Sequence, residues 1–429
     1  MSIVGRGLAD RELSGEEIGA LAREGLRRLP LDGRRVLVLI PDGTRTMPMP
    51  LLFDILEREL GPRVAALDYL VALGTHPPMS DGQLSHHVGR EVVAGRAGRS
   101  RIFNHRWDDP DTFVILGTIP AREVAELTGG RLSQDVPVAL NRRILECDHV
   151  LICGPVFPHE VVGFSGGTKY LFPGIAGADI IHFTHWLGAL ITNYEVIGQR
   201  DTPVRAVIDR AARFVDRPLS LLALVVTHGG VAGLFCGDVR EAWTAAAALS
   251  ARRHVVWVEK PFRRAVSVMP AMYADLWTAG KGMYKVEPAV ADGGEIVIHA
   301  PHVTAVSYTH GHLLEEVGYH CRDYFLKQWD RFKGYPGGIL AHSTHVKGLG
   351  DYDVTTGVET PRIRVTLATG IARERCARIN LDYLDPATVD PVALQAQADD
   401  DVLVVPRAGE QLYRVGRPPE DDPLPEATA

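Results

Sequence analysis

The sequence lacks most of the features that mark a chain as something other than an ordinary globular protein. Its five cysteines, Cys147, Cys153, Cys236, Cys321 and Cys376, are scattered without a CxxC pair. Neither a disulfide framework nor a zinc ribbon is indicated, and buried free thiols are the simpler reading. No block of like charge stands out apart from the acidic, proline-rich tail from Arg417 to Ala429, and a formal net charge of -7 argues against a nucleic-acid surface. The longest apolar run, Leu219 to Val226, is far too short to span a bilayer, and the segment Met1 to Asp10 has no apolar signal core. A cytoplasmic protein without a membrane partner is expected. No GxGxxG follows a strand and no GxxxxGKS/T occurs, so a dinucleotide fingerprint or P-loop is not supported.

What is present is enough apolar sequence for a large core: 429 residues, 46% hydrophobic and 23% charged. That length predicts two domains. Ser14-x-x-Glu17 reads as a capping box opening a helix that runs to Leu29. The run Val36-Leu37-Val38-Leu39-Ile40 predicts a strand over Arg35 to Ile40 buried on both faces, as in a parallel sheet. It ends in the polar loop Pro41-Asp42-Gly43-Thr44-Arg45. The same grammar recurs with a helix at Leu51 to Leu60, a strand at Ala66 to Leu73 and the loop Gly74-Thr75-His76. Further strands are predicted at Thr112 to Leu116, His149 to Cys153, Leu221 to Val226 and His254 to Val258. Strands alternating with helices predict an α/β fold with a Rossmann-like, doubly wound parallel sheet, whose ligands collect at the carboxyl ends of its strands. After Lys260 the texture changes. Strands are expected at Arg263 to Met269, Gly294 to His299 and Arg364 to Leu367, with a helix at Leu313 to Lys327. The expected division is an N-terminal α/β domain over 1–260, a smaller α/β domain over 261–399, closing strands within 400–416 that rejoin the first domain, and a disordered tail over 417–429.

The densest chemistry lies in His159-Glu160-Val161-Val162-Gly163-Phe164-Ser165-Gly166-Gly167-Thr168-Lys169, with His185 beyond it; the chain has 17 histidines, many for its length. Glycines let backbone approach a ligand, and successive N–H groups can cradle a phosphate. By composition alone this is equally an ordinary loop. A lysine beside such glycines is an anion partner or a nucleophile, and the histidines are proton carriers or metal ligands. Asp42 and Arg45, taken singly, read as a helix cap and a surface ion pair. His342 and His345 fall in what reads as a glycine-rich loop and stay outside the catalytic set.

Taken together, Pro158-His159-Glu160, Phe164 to Lys169, Pro173-Gly174, His185, Asp42-Gly43-Thr44-Arg45 and Gly74-Thr75-His76 resemble the nickel-pincer-nucleotide-dependent lactate racemase family. The likeness is specific over residues 42 to 185 and thinner after residue 260. It implies a racemase or epimerase of 2-hydroxy acids, working by proton-coupled hydride transfer through a 2-keto acid. Carried over, Lys169 would tether the nickel pincer nucleotide and His185 would ligate nickel. His76 and His159 would be the acid/base pair, Asp42 would orient a histidine or the cofactor, and Thr44, Gly166 and Gly167 would contact the cofactor. Arg45 and Lys281 would bind substrate, as would Trp329. Cofactor-building enzymes would be maturation partners, with 1–260 on the cofactor side and 261–399 on the substrate side. Thr278 stands where the family has a glutamine, which leaves substrate identity open. The alternatives are a metal-dependent hydrolase or lyase using His159, His182 and His185, and a non-catalytic carrier of a nucleotide cofactor.

Overall fold

A computed structural model describes residues 3–397 and 400–418. Residues 419–429 of the expected tail lie outside the described residues. The fold is mixed α/β around a large sheet, with the order Val4–Gly7, Gly230–Gly237, Leu219–Thr227, His149–Pro155, Arg35–Ile40, Ala66–Val71, Ser100–Asn104, Arg96–Ala97. Pairing is parallel from Leu219–Thr227 through Ser100–Asn104 and antiparallel at both edges. The strand Arg35–Ile40 shows why its apolar run is unbroken. Leu37 and Leu39 enter one core cluster with Ile152 and Leu221, while Val36, Val38 and Ile40 enter another with Leu151 and Cys153. Helices Gly15–Arg28 and Met49–Leu60 fill the second cluster, and Ala178–Ile191, Pro203–Ala212 and Val239–His254 fill the first. The predicted capping box is present: Glu17 N donates to Ser14 Oγ at 3.1 Å and Ser14 N donates to the Glu17 carboxylate at 2.8 Å.

A second, five-stranded sheet is parallel throughout, in the order Asp382–Tyr383, Arg364–Thr369, Val290–Ala300, Phe262–Val268, Val402–Val405. It has its own apolar cluster, which includes Ile296, Ile298 and Leu367.

Four expectations need correction. The strand expected at Thr112 to Leu116 exists as Phe113–Ile119, but it forms an antiparallel pair with Val136–Asn141 outside the large sheet. Val255–Val258 also stays out of that sheet and pairs with Leu412–Val415. Of the closing strands, Val402–Val405 therefore belongs to the second sheet, not the first. The helix expected over Leu313 to Lys327 is two, Gly311–Val317 and Arg322–Leu326. Gly318 ends the first with φ +76, and Tyr319 N then donates to Ile379 O, which turns the chain away from the helix axis. Among the described residues no helix is long and apolar enough to cross a membrane.

Candidate active site

Three polar loops leave the carboxyl ends of adjacent parallel strands, after Ile40, Val71 and Pro155, and meet at one cavity of about 140 Å³. Asp42, Arg45, His76, His159, Gly166, Lys169 and His185 all line it, and Lys281 reaches it from the other half of the chain. This is the strand-end placement that a parallel sheet offers to a ligand.

Asp42 is buried. Its Oδ1 accepts from Thr44 Oγ1 at 2.7 Å and Thr44 N at 3.3 Å, and its Oδ2 lies 2.6 Å from His76 Nδ1. Burial alone would raise the carboxyl pKa, but His76 and Arg45 outweigh it and hold Asp42 well below the usual carboxylate range. An ionised carboxylate is an acceptor only, so His76 Nδ1 carries a proton, and in the neutral ring the lone pair is on Nε2. Thr44 contributes by orienting Asp42 and by accepting from Arg45 Nη1 at 3.1 Å.

The glycine-rich loop is braced from beneath. Arg205, 2% exposed, donates to the carbonyls of Phe164 and Gly166 and to Thr168 Oγ1. Trp243 Nε1 donates to Ser165 O at 2.8 Å. Gly163 and Gly166 have φ +84 and +78, and a Cβ on Gly163 would sit 1.8 Å from Gln199 O; only glycine fits this path. Gly167 does not line the cavity; it packs against Trp243. The loop delivers Lys169, surrounded by protein yet open to the cavity. Burial first, then the nearby Arg45, pulls its amine down to about 7. Such a lysine is half neutral near neutrality, and the neutral amine is the nucleophilic form.

His159 is held differently from His76. Val161 N donates to its Nδ1 at 3.1 Å, so in the neutral ring the proton is on Nε2. Burial drives its pKa well below the ordinary histidine value. Glu160 Oε2 lies 3.4 Å from the same Nδ1; burial opposes its ionisation, but His159 and Lys281 overcome that and keep it a carboxylate.

His185 sits on helix Ala178–Ile191 and its Nδ1 donates to Ile181 O at 2.7 Å. Nε2 is left free, and burial lowers the ring to about 4, so this nitrogen is an unprotonated ligand at neutral pH. His182 is absent from the cavity wall and its Nδ1 accepts from Gly338 N at 3.4 Å. Among the described residues no group of three or more His, Cys, Asp or Glu is placed to hold a metal ion, so the site His159, His182 and His185 is not assembled. A metal at His185 would need its remaining ligands from a bound organic group. The free Nε2 and the low-pKa Lys169 in one cavity fit such a group.

The far wall comes from the second half of the chain. Lys281, brought down to about 8 by burial and then Arg45, stands 5.1 Å from the Tyr273 ring. Trp277, Tyr284, His342 and His345 also line the cavity. The two histidines lie in helix Gly337–Lys347 and not in a loop, spaced so that both share one face. That spacing of three was the available signal, and Gly337-Gly338 obscured it. Trp329 is not at the site: it is 40% exposed and stacks on Trp186 with centroids 5.5 Å apart.

The chain is similar to known proteins in both sequence and fold. Residues 20–198 match the model of the lactate racemase N-terminal domain. The lactate racemase of Thermoanaerobacterium thermosaccharolyticum is 25% identical over 313 residues, 67% of this chain and 66% of the relative. That of Lactiplantibacillus plantarum is 24% identical over 298 residues, 65% of this chain and 63% of the relative. The matched region thus spans slightly less than two thirds of the length of these relatives. A crystal structure of a Thermotoga maritima protein superposes with TM-score 0.86 at 31% identity, covering 94% of this chain and 99% of the other. The lactate racemase apoprotein from Thermoanaerobacterium thermosaccharolyticum shares the fold, with TM-score 0.70 at 18% identity over 96% and 94% of the two chains. Over residues 20–198, which carry the strand-end loops, Lys169 and the site histidines up to His185, the chain is a lactate racemase N-terminal domain.

Proposed function

We propose that the protein inverts C2 of a 2-hydroxy acid, using a nickel pincer nucleotide linked to Lys169 and ligated through His185 Nε2. The observation that carries this is the pairing of two histidines in opposite tautomers on the cavity that also holds Arg45 and Lys169. The bound cofactor would supply a hydride acceptor, which removes the need to form a carbanion at a weakly acidic C–H.

The chain's own groups do the rest. Arg45 is the fork for the substrate carboxylate. His76 Nε2 is the base for the hydroxyl proton, and Asp42, 2.6 Å from Nδ1, offsets the imidazolium charge that results. His159 serves the other route: from the doubly protonated ring it gives its Nε2 proton to the substrate oxygen, and with that proton gone Nε2 is the base that takes it back. Glu160, 3.4 Å from its Nδ1, is the counter-charge when His159 holds a second proton. Two bases are required because each enantiomer presents its hydroxyl differently. In this reading residues 1–260 form a doubly wound, cofactor-side domain and 261–399 a substrate-side domain, and enzymes that build the cofactor are obligatory partners in maturation.

The test begins with protein co-produced with cofactor-building enzymes. Intact mass should show an adduct that maps to Lys169, with nickel bound. A single enantiomer deuterated at C2 should then be converted to its mirror image with the label retained. Unmodified Lys169 refutes the cofactor assignment, and loss of label to water refutes hydride transfer.

A further inference from the structure

The proposed reaction leaves part of the cavity wall without a task. Neither ring nitrogen of His345 has a hydrogen-bond partner, nor does Nε2 of His342, although the side chains are only 3% and 7% exposed. Buried polar atoms in native proteins are almost always paired, and an unpaired one is costly. Both rings line the cavity whose wall also includes Arg45 and His159, so a ligand seated in that cavity can supply the missing partners.

Their electrostatics limit what the ligand can be. Burial lowers both rings, His345 to about 4 and His342 well below the ordinary value, with His345 and Lys281 adding to the effect on His342. Both are therefore neutral imidazoles, each offering one donor and one acceptor. A hydroxyl uses both capacities, whereas a carboxylate would use only the donors. The carboxylate of Glu160 lines the same cavity and acts on both rings; it would repel a second carboxylate placed there.

The shape of the wall agrees. Trp277 stacks on His342 with centroids 4.2 Å apart and lines both the inner cavity and an adjoining one of about 910 Å³, which also share Arg45 and His76. The indole gives a flat apolar surface for the C–H side of a chain whose hydroxyls point at the histidines.

We propose that the substrate carries at least one hydroxyl beyond C2, as in a 2,3-dihydroxy or longer polyhydroxy acid, and that His342 and His345 read that hydroxyl. The assignment rests on the reaction proposed above for the same site. Sites built to pair a hydroxyl discriminate strongly against ligands that lack it.

The test uses matched acids differing by hydroxyls alone: glycerate against lactate, and a 2,3,4-trihydroxybutyrate against 2-hydroxybutyrate. Cofactor-loaded enzyme is assayed for affinity by calorimetry and for inversion by chiral chromatography. The hydroxylated member should be favoured about tenfold or more in Kd and in kcat/KM. The double variant His342→Phe, His345→Leu should lose that preference, and His345→Gln, which keeps a donor and an acceptor, should retain part of it. Equal or weaker binding of the hydroxylated acids, or substitutions that depress both members of a pair alike, overturns the assignment. Preferential binding without inversion sinks the proposed reaction and leaves the specificity standing. Inversion of lactate without any preference does the reverse.

Discussion

Lys169→Met in protein made without cofactor should be more stable than the parent, by an amount that shrinks as the pH rises. The lysine amine has its pKa drawn from the ordinary 10.5 to about 7, first by burial and then by Arg45. At about 1.4 kcal/mol per pH unit, the charged amine costs the folded state about 4 to 5 kcal/mol. Water in the cavity screens part of this, so a gap of about 2 kcal/mol is expected near neutrality. The sign follows from proton counting. Below about pH 7 the amine is charged in both the folded and the unfolded chain, and the full penalty is present. Between about 7 and 10.5 the unfolded chain holds a proton that the folded chain has released, so the parent gains stability with rising pH and the gap closes. Lys281 and Lys285 also titrate in this range, at about 8 and about 7, but they are common to both proteins and largely cancel in the difference. Urea unfolding at pH 6, 7, 8, 9 and 10 gives the difference curve. A variant less stable than the parent at pH 7, or a gap that does not change with pH, would show that Lys169 is not held as a strained, low-pKa amine.

Three further outcomes follow from the same geometry. Asp42→Asn removes the anion behind His76 and should lower kcat of the loaded enzyme by about 10²- to 10⁴-fold. Nickel content and the Lys169 adduct, read by metal analysis and mass spectrometry, should remain. Arg205→Met leaves the carbonyls of Phe164 and Gly166 without their donor and should cost about 3 kcal/mol or more in urea unfolding. It should also reduce the fraction of Lys169 carrying the adduct; an unchanged fraction would mean that the loop holds its shape without the brace. Trp329→Ala loses the stack on Trp186 and about 1 kcal/mol of stability, while kcat/KM should stay within about twofold of the parent.

Where the fold was legible, local pattern and tertiary environment agreed. The strand Arg35–Ile40 falls on its predicted residues because both faces are buried from Val36 to Ile40, so each of those positions must be apolar. Phe113–Ile119 is also a strand, but nothing local says which partner it takes. It pairs with Val136–Asn141 through an irregularity between Ile115 and Gly117, and Gly117 admits the ring of Phe214 where a Cβ would collide at 2.5 Å. The break at Gly318 was hidden for a related reason, since the periodicity continues on both sides of a residue whose positive φ ends the helix. Val402–Val405 went to the second sheet because its partner, Phe262–Val268, lies across a long separation in sequence.

The site divides along the same line. Asp42, Arg45, His76, His159 and Lys169 lie in segments that follow the carboxyl ends of strands of the large sheet, so a short motif carries both the residue and its location. His342 and His345 depend instead on how helix Gly337–Lys347 lies against Ala178–Ile191. A Cβ on Gly337 would come within 2.7 Å of His182 O, and one on Gly338 within 3.2 Å of His182 Nδ1. The two glycines that read as loop signals are the ones that let the helices approach closely. That approach carries His342 and His345 to the cavity that His185 lines from the opposing helix. Trp329 errs in the opposite direction: an aromatic in a weakly matching stretch was assigned to substrate, whereas its ring is used in a stack on Trp186, on that same helix Ala178–Ile191. Residues that recognise a ligand through helix packing are thus the ones that sequence motifs locate least well, and here they are also the ones that bear on substrate choice.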